Sequence, residues 1–439
     1  MAIVSAADSS QLPAPTVFDT LLEPVQNFIE QQEGERTHHH NETFTYLAFF
    51  RLLTYYFLSG LPSIALFLNT YLKKGLLPTA LQLQAVPRST FNDAFERFSP
   101  DMFRAVFVVL LSSLSLQAVP ELAALGVFYC VDGSLFPTLS SIQWAEYTSH
   151  TQALKLHLAF ELNRMVPVNF IVGSGNSSER NALRQMLCDG VTYIADRGYV
   201  GFRLFHDVLQ ANAHLIFRMK ANLQYQVTVT LPLNIPAAAH AIFRDISDTL
   251  IVCDNDPYTH VYRLITFRVG TSTFLLLTDR HDLTTFQIML LYAYRWQVEL
   301  IFRFLKRTMT GIHLINQSQD GVTIHFYMLL IVALLQLHLK QRAVAHIEQS
   351  GQEAGQDVPQ PPDTSEPPEA LETPQSSPTT PIFHDIPGQT TLSHPYHFFA
   401  MIGEKLTAYW KIGIHWLHTL RTILSHAFND RALELLGSG

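Results

Sequence analysis

The sequence predicts an α/β protein: a mixed-sheet central domain with a β-rich insertion, a small all-α domain before it and helices after it. Three features predict this. The runs Val127-Phe128-Tyr129-Cys130-Val131 and Val191-Thr192-Tyr193-Ile194-Ala195 are short and almost wholly apolar, as strands buried on both faces are. Residues 221–280 return repeatedly to β-branched and aromatic side chains in strand-length runs. Residues 43–125 and 285–340 have helical spacing, punctuated in the first stretch by Pro and Gly.

Size and composition fit such a protein. The chain has 439 residues, enough for two or three domains. Thirty Phe and sixteen Tyr supply a large core and exclude a wholly disordered chain. Cys130, Cys188 and Cys253 are too scattered for a disulfide framework or a thiolate zinc site. They are expected as small buried hydrophobes in a reducing compartment. No basic region followed by an apolar run opens the chain, so no secretory signal is expected. The apolar stretches 52–68 and 326–339 are read as buried helices. Gly60 and Pro62 interrupt the first, and the second is shorter than the roughly 20 residues a bilayer needs.

The net charge of −8 is adverse for a protein that grips a polyanion, but its distribution is uneven. Residues 348–385 hold eight acids and no Lys or Arg, and without them the remainder is formally neutral. Such a body can still carry a local basic groove.

Residues 1–42 are expected as a polar, weakly patterned segment, with His38-His39-His40 in a solvated loop or helix start. Residues 43–125 read as several short helices, with 86–94 a loop feeding a capped helix. Lys73, Lys74, Arg88, Arg97 and Arg104 offer cations for phosphates there, so this domain either reads DNA or packs on its neighbour. Residues 126–345 are expected as the mixed-sheet central domain. Its strands fall at 127–131, 153–160 (half-exposed, with Leu154, Leu156 and Leu158 alternating against Lys155 and His157), 166–172, 191–195 and 214–219, and helices fall at 178–187 and 202–213. The insertion over about 221–280 follows, then one long helix over 285–307 and another over 322–340. Residues 346–391 are rich in Pro, Gln, Ser, Thr and acids and read as a disordered, protease-sensitive linker. Residues 392–439 read as a helical segment carrying Trp410 and Trp416.

The chemistry lies in two runs with one grammar. Each buried strand is followed by an acid and then a turn-permitting glycine: Asp132-Gly133-Ser134 and Asp196-Arg197-Gly198-Tyr199. The carboxyl edge of an open α/β sheet is where ligands bind. One such Asp is usually a turn former; two in one sheet say more. On the helix 285–307, Tyr292, Arg295, Glu299 and Lys306 fall within one narrow arc, with Arg303 nearby. Val298, Ile301 and Leu305 lie roughly opposite and can seat the helix on a sheet. Taken alone, that stripe could equally be a solvated face with intrahelical pairs such as Arg295–Glu299. Together, Asp132, Asp196 and Glu299 can hold two hard divalent cations for phosphodiester displacement. Arg and Lys beside them can clamp phosphates, and Tyr292 and Trp296 can stack on an unpaired base.

The order strand–Asp, strand–Asp, helix–Glu resembles the RNase H-like catalytic domain of DDE transposases. Tyr292-x2-Arg295-x3-Glu299-x6-Lys306 has the spacing of the Tyr-Arg-Glu-Lys signature of the insertion-sequence-four group, and the blocks around Asp132, Lys155-Leu156-His157-Leu158 and Asp196 are similar to that group's. The resemblance covers about residues 40–345. It implies Asp132, Asp196 and Glu299 as ligands to two Mg2+ (or Mn2+) ions. It implies DNA contacts from Tyr292, Arg295, Lys306, Trp296, Arg303, Arg197, Lys155 and Arg88, with a base held flipped. Transposon-end DNA and target DNA are the implied partners, bound by a homodimer in the cytoplasm and, when on DNA, at the nucleoid, with no membrane involved. One departure is that Gly175-Asn176-Ser177-Ser178-Glu179 lacks the His-Asp pair many relatives place there. A nuclease of the same fold without strand transfer, and a non-catalytic DNA-binding protein, are the alternatives; the intact acids speak against the second.

Overall fold

The computed structural model describes residues 17–356 apart from 39, 41, 60, 62, 78, 115–121, 123, 139–141, 149–150, 234, 237–238, 241–242 and 310–313. Most of the expected linker and the whole expected C-terminal helical segment lie outside the described residues.

The N-terminal part is helical, as predicted, but begins earlier. Helix α1 (Val17–Glu35) buries Phe18, Leu21, Leu22, Val25 and Ile29, an apolar stripe at helical spacing. The expectation of an unpatterned polar segment is therefore corrected: polar residues on the outer face dilute the stripe. Helix α2 (Tyr46–Ser59) is almost entirely buried and is tied to α1 by Arg51–Asp19 at 2.7 Å. Helix α3 (Ile64–Leu66) runs on into a wide π-type turn, Phe67–Leu72. Helix α4 (Arg88–Arg97) follows Pro87 with no side-chain cap, contrary to the capped start expected. Helix α5 (Pro100–Ser113) has Pro at its first turn, where a missing N–H costs nothing.

Among the described residues the central sheet has ten strands. Strands β1 (Val127–Pro137), β3 (Thr151–Glu161) and β4 (Val166–Ser174) form an antiparallel meander, with short β2 (Glu146–Thr148) against the start of β3. Helix α6 (Glu179–Gln185) leads to β5 (Val191–Ala195), and α7 (Phe202–Gln210) leads to β6 (His214–Arg218). Strand β5 pairs parallel with β1, and β6 pairs parallel with β5, as helical crossovers allow. This is the mixed α/β arrangement expected of an RNase H-like domain. The insertion does not form a separate sheet. Strands β7 (Tyr225–Thr230), β8 (Arg244–Cys253), β9 (Val261–Val269) and β10 (Ser272–Thr278) extend the same one, with β10 antiparallel to β6. Three helices follow: α8 (Thr285–Tyr294), α9 (Trp296–Met309) and α10 (Gln319–Gln356).

Both faces of the sheet are covered at its central strands. Along β5, Val191, Tyr193 and Ala195 join the core beneath α6 and α7, while Ile194 joins the core shared with the N-terminal helices, α9 and α10. Strand β3 is accordingly buried on both sides, with His157 fully so, not half-exposed as its alternation suggested. Cys130 and Cys253 are buried as expected; Cys188 is exposed, which corrects that expectation.

Helix α10 continues to Gln356, eleven residues into the linker expected to open at 346. Its segment Gln319–Leu339 spans 21 residues and is long and apolar enough to cross a membrane, so length does not argue against a span. Two-thirds of that segment is buried inside the fold (67%), against α1, α2, α5 and β4, which is how the core helix of a globular domain sits.

Candidate active site

The two Asp blocks come together as their strand grammar predicts, but by different local means. Strand β1 does not end before Asp132. It continues to Pro137, and Asp132 pairs with Leu158 of β3. On the other side, pairing with β5 stops at Cys130–Ile194. Asp132 and Asp196 are thus both two residues beyond the last parallel pair, neighbours at the carboxyl edge. Asp196 caps the 3-10 turn Arg197–Tyr199, its Oδ1 accepting from the Arg197 N–H at 2.7 Å. Asp132 Oδ1 accepts from the Gly133 N–H at 2.8 Å. Gly133 lies inside β1 and makes no turn, which corrects its expected role. A Cβ there would stand 2.9 Å from Lys155 Cε and 3.3 Å from His157 Nδ1, so its bareness makes room for β3's side chains.

The expected single helix over 285–307 is two helices. The break is at Arg295, where the N–H of Arg295 donates to Tyr292 O at 3.1 Å and that of Val298 donates to Arg295 O at 3.1 Å, tightening the turn. A reciprocal capping box starts α8: Gln287 N–H donates to Thr284 Oγ1 (3.2 Å), and Thr284 N–H donates to Gln287 Oε1 (2.8 Å). Val298, Ile301 and Leu305 are buried and seat α9, as its pattern predicts.

This places Arg295 at the centre. Its guanidinium donates to Asp132 Oδ2 at 3.3 Å and to Glu299 Oε1 at 3.2 Å. Tyr292 OH donates to Asp196 Oδ1 at 3.4 Å, and the Arg295 guanidinium lies 5.8 Å from the Tyr292 ring centre. The three acids therefore gather around Arg295 and Tyr292 and stay partly open to water, with side chains 25%, 33% and 31% exposed for Asp132, Asp196 and Glu299. Their oxygens do not all lie within 4.8 Å of one another, and Arg295 bridges Asp132 and Glu299. Burial pushes the Asp132 carboxyl up to about 6, against the pull of Arg295 and the Gly133 N–H, and Glu299 and Glu179 add to the rise. Burial also opposes charge on Arg295, yet Tyr292, Asp132, Asp196 and Glu299 together hold its proton more tightly than usual.

The remaining predicted residues divide. Arg197 is more than half exposed, with Nε 3.8 Å from Asp196. Lys306 is exposed, its Nζ 5.5 Å from the ring centre of Phe136, on the strand face that carries Asp132 but four residues further along. Arg303 is exposed on α9. Only the backbone of Trp296 is described, at the start of α9. Lys155 is not in the acid cleft; its Nζ pairs with Glu179 Oε1 at 2.8 Å. Arg88 is exposed at the start of α4, in the helical part.

Sequence reasoning missed Arg218, Arg180 and Lys220. Arg218 ends β6, 3.9 Å from Asp196 Oδ1 and 4.4 Å from the Phe274 ring centre. The rule that found the acids, a polar residue at the end of a buried parallel strand, would also have found it. Arg180 and Lys220 line an open pocket together with Arg197, Gly198 and Val200, the residues that follow Asp196; only the fold brings them together.

Residues 124–335 match the family model described as the transposase DDE domain. The chain is also 23% identical over 249 residues to the y4zB protein of Sinorhizobium fredii, whose name makes it an inferred transposase. That alignment covers 56% of this chain and 69% of that protein. The matched domain runs from just before β1 into α10 and takes in both Asp blocks and Glu299. Through these residues the chain is similar to the DDE domain of transposases.

Proposed function

We propose that this chain is the transposase of an insertion sequence of the insertion-sequence-four group, cutting the element's ends and joining them to target DNA. The observation that carries the reading is the Arg295 guanidinium joining Asp132, on a strand, to Glu299, on a helix, while Tyr292 reaches Asp196. Residues far apart in sequence meet at one cleft in the combination the chemistry needs.

The donor set fits a divalent metal centre. Three carboxylates are hard oxygen ligands, partly open to water, and Asp132 and Asp196 each spend one oxygen on a backbone N–H. Two Mg2+ or Mn2+ ions held by Asp132, Asp196 and Glu299 would supply an activated water or 3′-hydroxyl and a stabilised leaving oxygen. Arg295 stands in as the cation that neutralises two of the acids. When metal and DNA arrive it turns to the phosphate beside the cut, where its fork suits a phosphodiester. Tyr292 and Trp296 stack on a base held out of the helix, and Lys306 and Arg303 follow the strand along α9. Arg180, Arg197 and Lys220 take phosphates beside Asp196, and Arg88 contacts DNA outside the cleft. The active form is a homodimer on DNA, working in the cytoplasm on nucleoid DNA.

The test is direct. Replacing Asp132, Asp196 or Glu299 by Ala abolishes Mg2+-dependent cleavage of the element's end while DNA binding persists; near-normal cleavage by any variant removes that residue from the site. Incubating a 3′-hydroxyl end with supercoiled target separates the readings, since a nuclease without strand transfer yields no joined product.

A further inference from the structure

We propose that Glu179 is a positioning residue that sets the spacing between the Asp132 and Asp196 segments from the opposite face of the sheet. The inference rests on the reading of Asp132 and Asp196 as metal ligands. Side chains alternate along β1, so Asp132 faces α9 and Gly133 faces α6. A Cβ on Gly133 would stand 3.4 Å from Glu179 Oε1. A Cβ on Gly198 would overlap Glu179 Oε2. One carboxylate is thus lodged between the residue after Asp132 and the second residue after Asp196.

Neither glycine is explained by backbone conformation, since neither has the positive φ that favours glycine. Close approach of Glu179 and Lys155 accounts for both. Lys155 Nζ holds Glu179 Oε1 at 2.8 Å, and both side chains are more than three-quarters buried. Helix α6 packs on β1, β3 and the Arg197–Tyr199 turn, so Glu179 joins all the pieces that carry the two Asp residues. It lies on the α6 face, where Gly133's missing side chain points, and so acts on the ligands through their backbone and not as a ligand. Without it the two segments lose their common spacer, and the cost falls on metal affinity.

The experiment measures Mn2+ binding by full-length protein without DNA, from the loss of the free-ion paramagnetic signal. Glu179→Ala weakens Mn2+ about tenfold, the usual cost of losing a group that orients metal ligands. Gly198→Ala weakens it likewise, because the new methyl displaces the flexible carboxylate. The double variant is no worse than the poorer single, since both act through one group. Glu179→Gln, which fills the same space, recovers most of the affinity. Melting temperatures stay near wild type, as Ser178 still caps α6. Wild-type Mn2+ affinity in Glu179→Ala or Gly198→Ala, or additive losses in the double, would overturn the proposal. If Glu179→Ala fails to fold, Gly198→Ala decides. Asp132→Ala is the control: if it binds Mn2+ normally, the metal-site reading itself fails.

Discussion

Two Arg–carboxylate clusters flank helix α8, one at each end, and they are built to opposite specifications. Before α8, Asp248 and Arg263 form a two-pronged pair at 2.9 and 2.6 Å. Thr285 adds its hydroxyl at 2.7 Å, and Arg263 donates onward to Leu283 O and Arg280 O. Asp248 and Arg263 side chains are 0% and 6% exposed. At the break between α8 and α9, Arg295 reaches Asp132 and Glu299 only at 3.3 and 3.2 Å, its partners are a quarter to a third exposed, and its Nε has no hydrogen-bond partner among the described residues. The first cluster is saturated and dry; nothing can enter without breaking it. The second holds its charges loosely beside water, as a site must if the arginine is to be exchanged for other ligands. The same residue types make a rivet in one place and an exchangeable latch in the other, and the difference lies in burial and geometry.

The largest expected effect tests the rivet. Asp248→Ala or Arg263→Ala leaves an uncompensated buried charge and costs about 3–5 kcal/mol of stability, read by urea unfolding. Arg295→Ala removes a largely buried guanidinium, but its partners stay a quarter to a third open to water, so the loss is smaller, about 1–2 kcal/mol. Equal losses at the two clusters would break the comparison.

That contrast also shows what the sequence could disclose. The acids were legible because buried strands and an amphipathic helix have local periods, and Asp132, Asp196 and Glu299 stand where those periods end or face. Val298, Ile301 and Leu305 were legible for the same reason. The break at Arg295 was not, since 285–307 has helical spacing throughout and contains no Pro or Gly to mark a break. Glu179 and Arg218 were hidden because their partners are distant in sequence and their meaning depends on strand order. Nothing local in the β-rich text marks Asp248 and Arg263 as partners; only the pairing of β8 with β9 and the packing of α8 buries them together. In α1, polar residues concealed a stripe whose burial depends on the helices it meets.

The next effect sharpens the latch. If Arg295 exchanges its acids for a phosphate next to a flipped base, Arg295→Ala slows cleavage of paired ends about tenfold or more, equivalent to roughly 1.4 kcal/mol of lost transition-state stabilisation. Lys306→Ala, on the same face, gives a defect of the same kind. Both defects shrink on ends already unpaired or lacking the base near the cut, because the cost of flipping has been removed. Gel assays of paired and unpaired ends decide it: equal defects on both would assign these residues to general phosphate binding.

A third buried ionisable group tests the comparison from the other side, since it has neither rivet nor latch. His325 on α10 is fully buried, and neither ring nitrogen has a hydrogen-bond partner among the described residues. Phe57 packs against it at 4.9 Å between ring centres. Burial alone pulls its pKa down from the ordinary 6.5 to about 3. Above 6.5 the imidazole is neutral folded and unfolded, so it contributes no pH dependence. As pH falls below 6.5 the unfolded chain takes up a proton that the folded chain refuses until about 3, and stability drops throughout that window. Between pH 6.5 and 5.5 the loss is about 1 kcal/mol, the smallest of the three effects. His325→Leu removes the titration, so the difference in unfolding free energy between variant and wild type shifts by that amount in the variant's favour over the same interval. A difference that stays constant with pH would mean that the imidazole already holds its proton, and with it a partner, inside the fold.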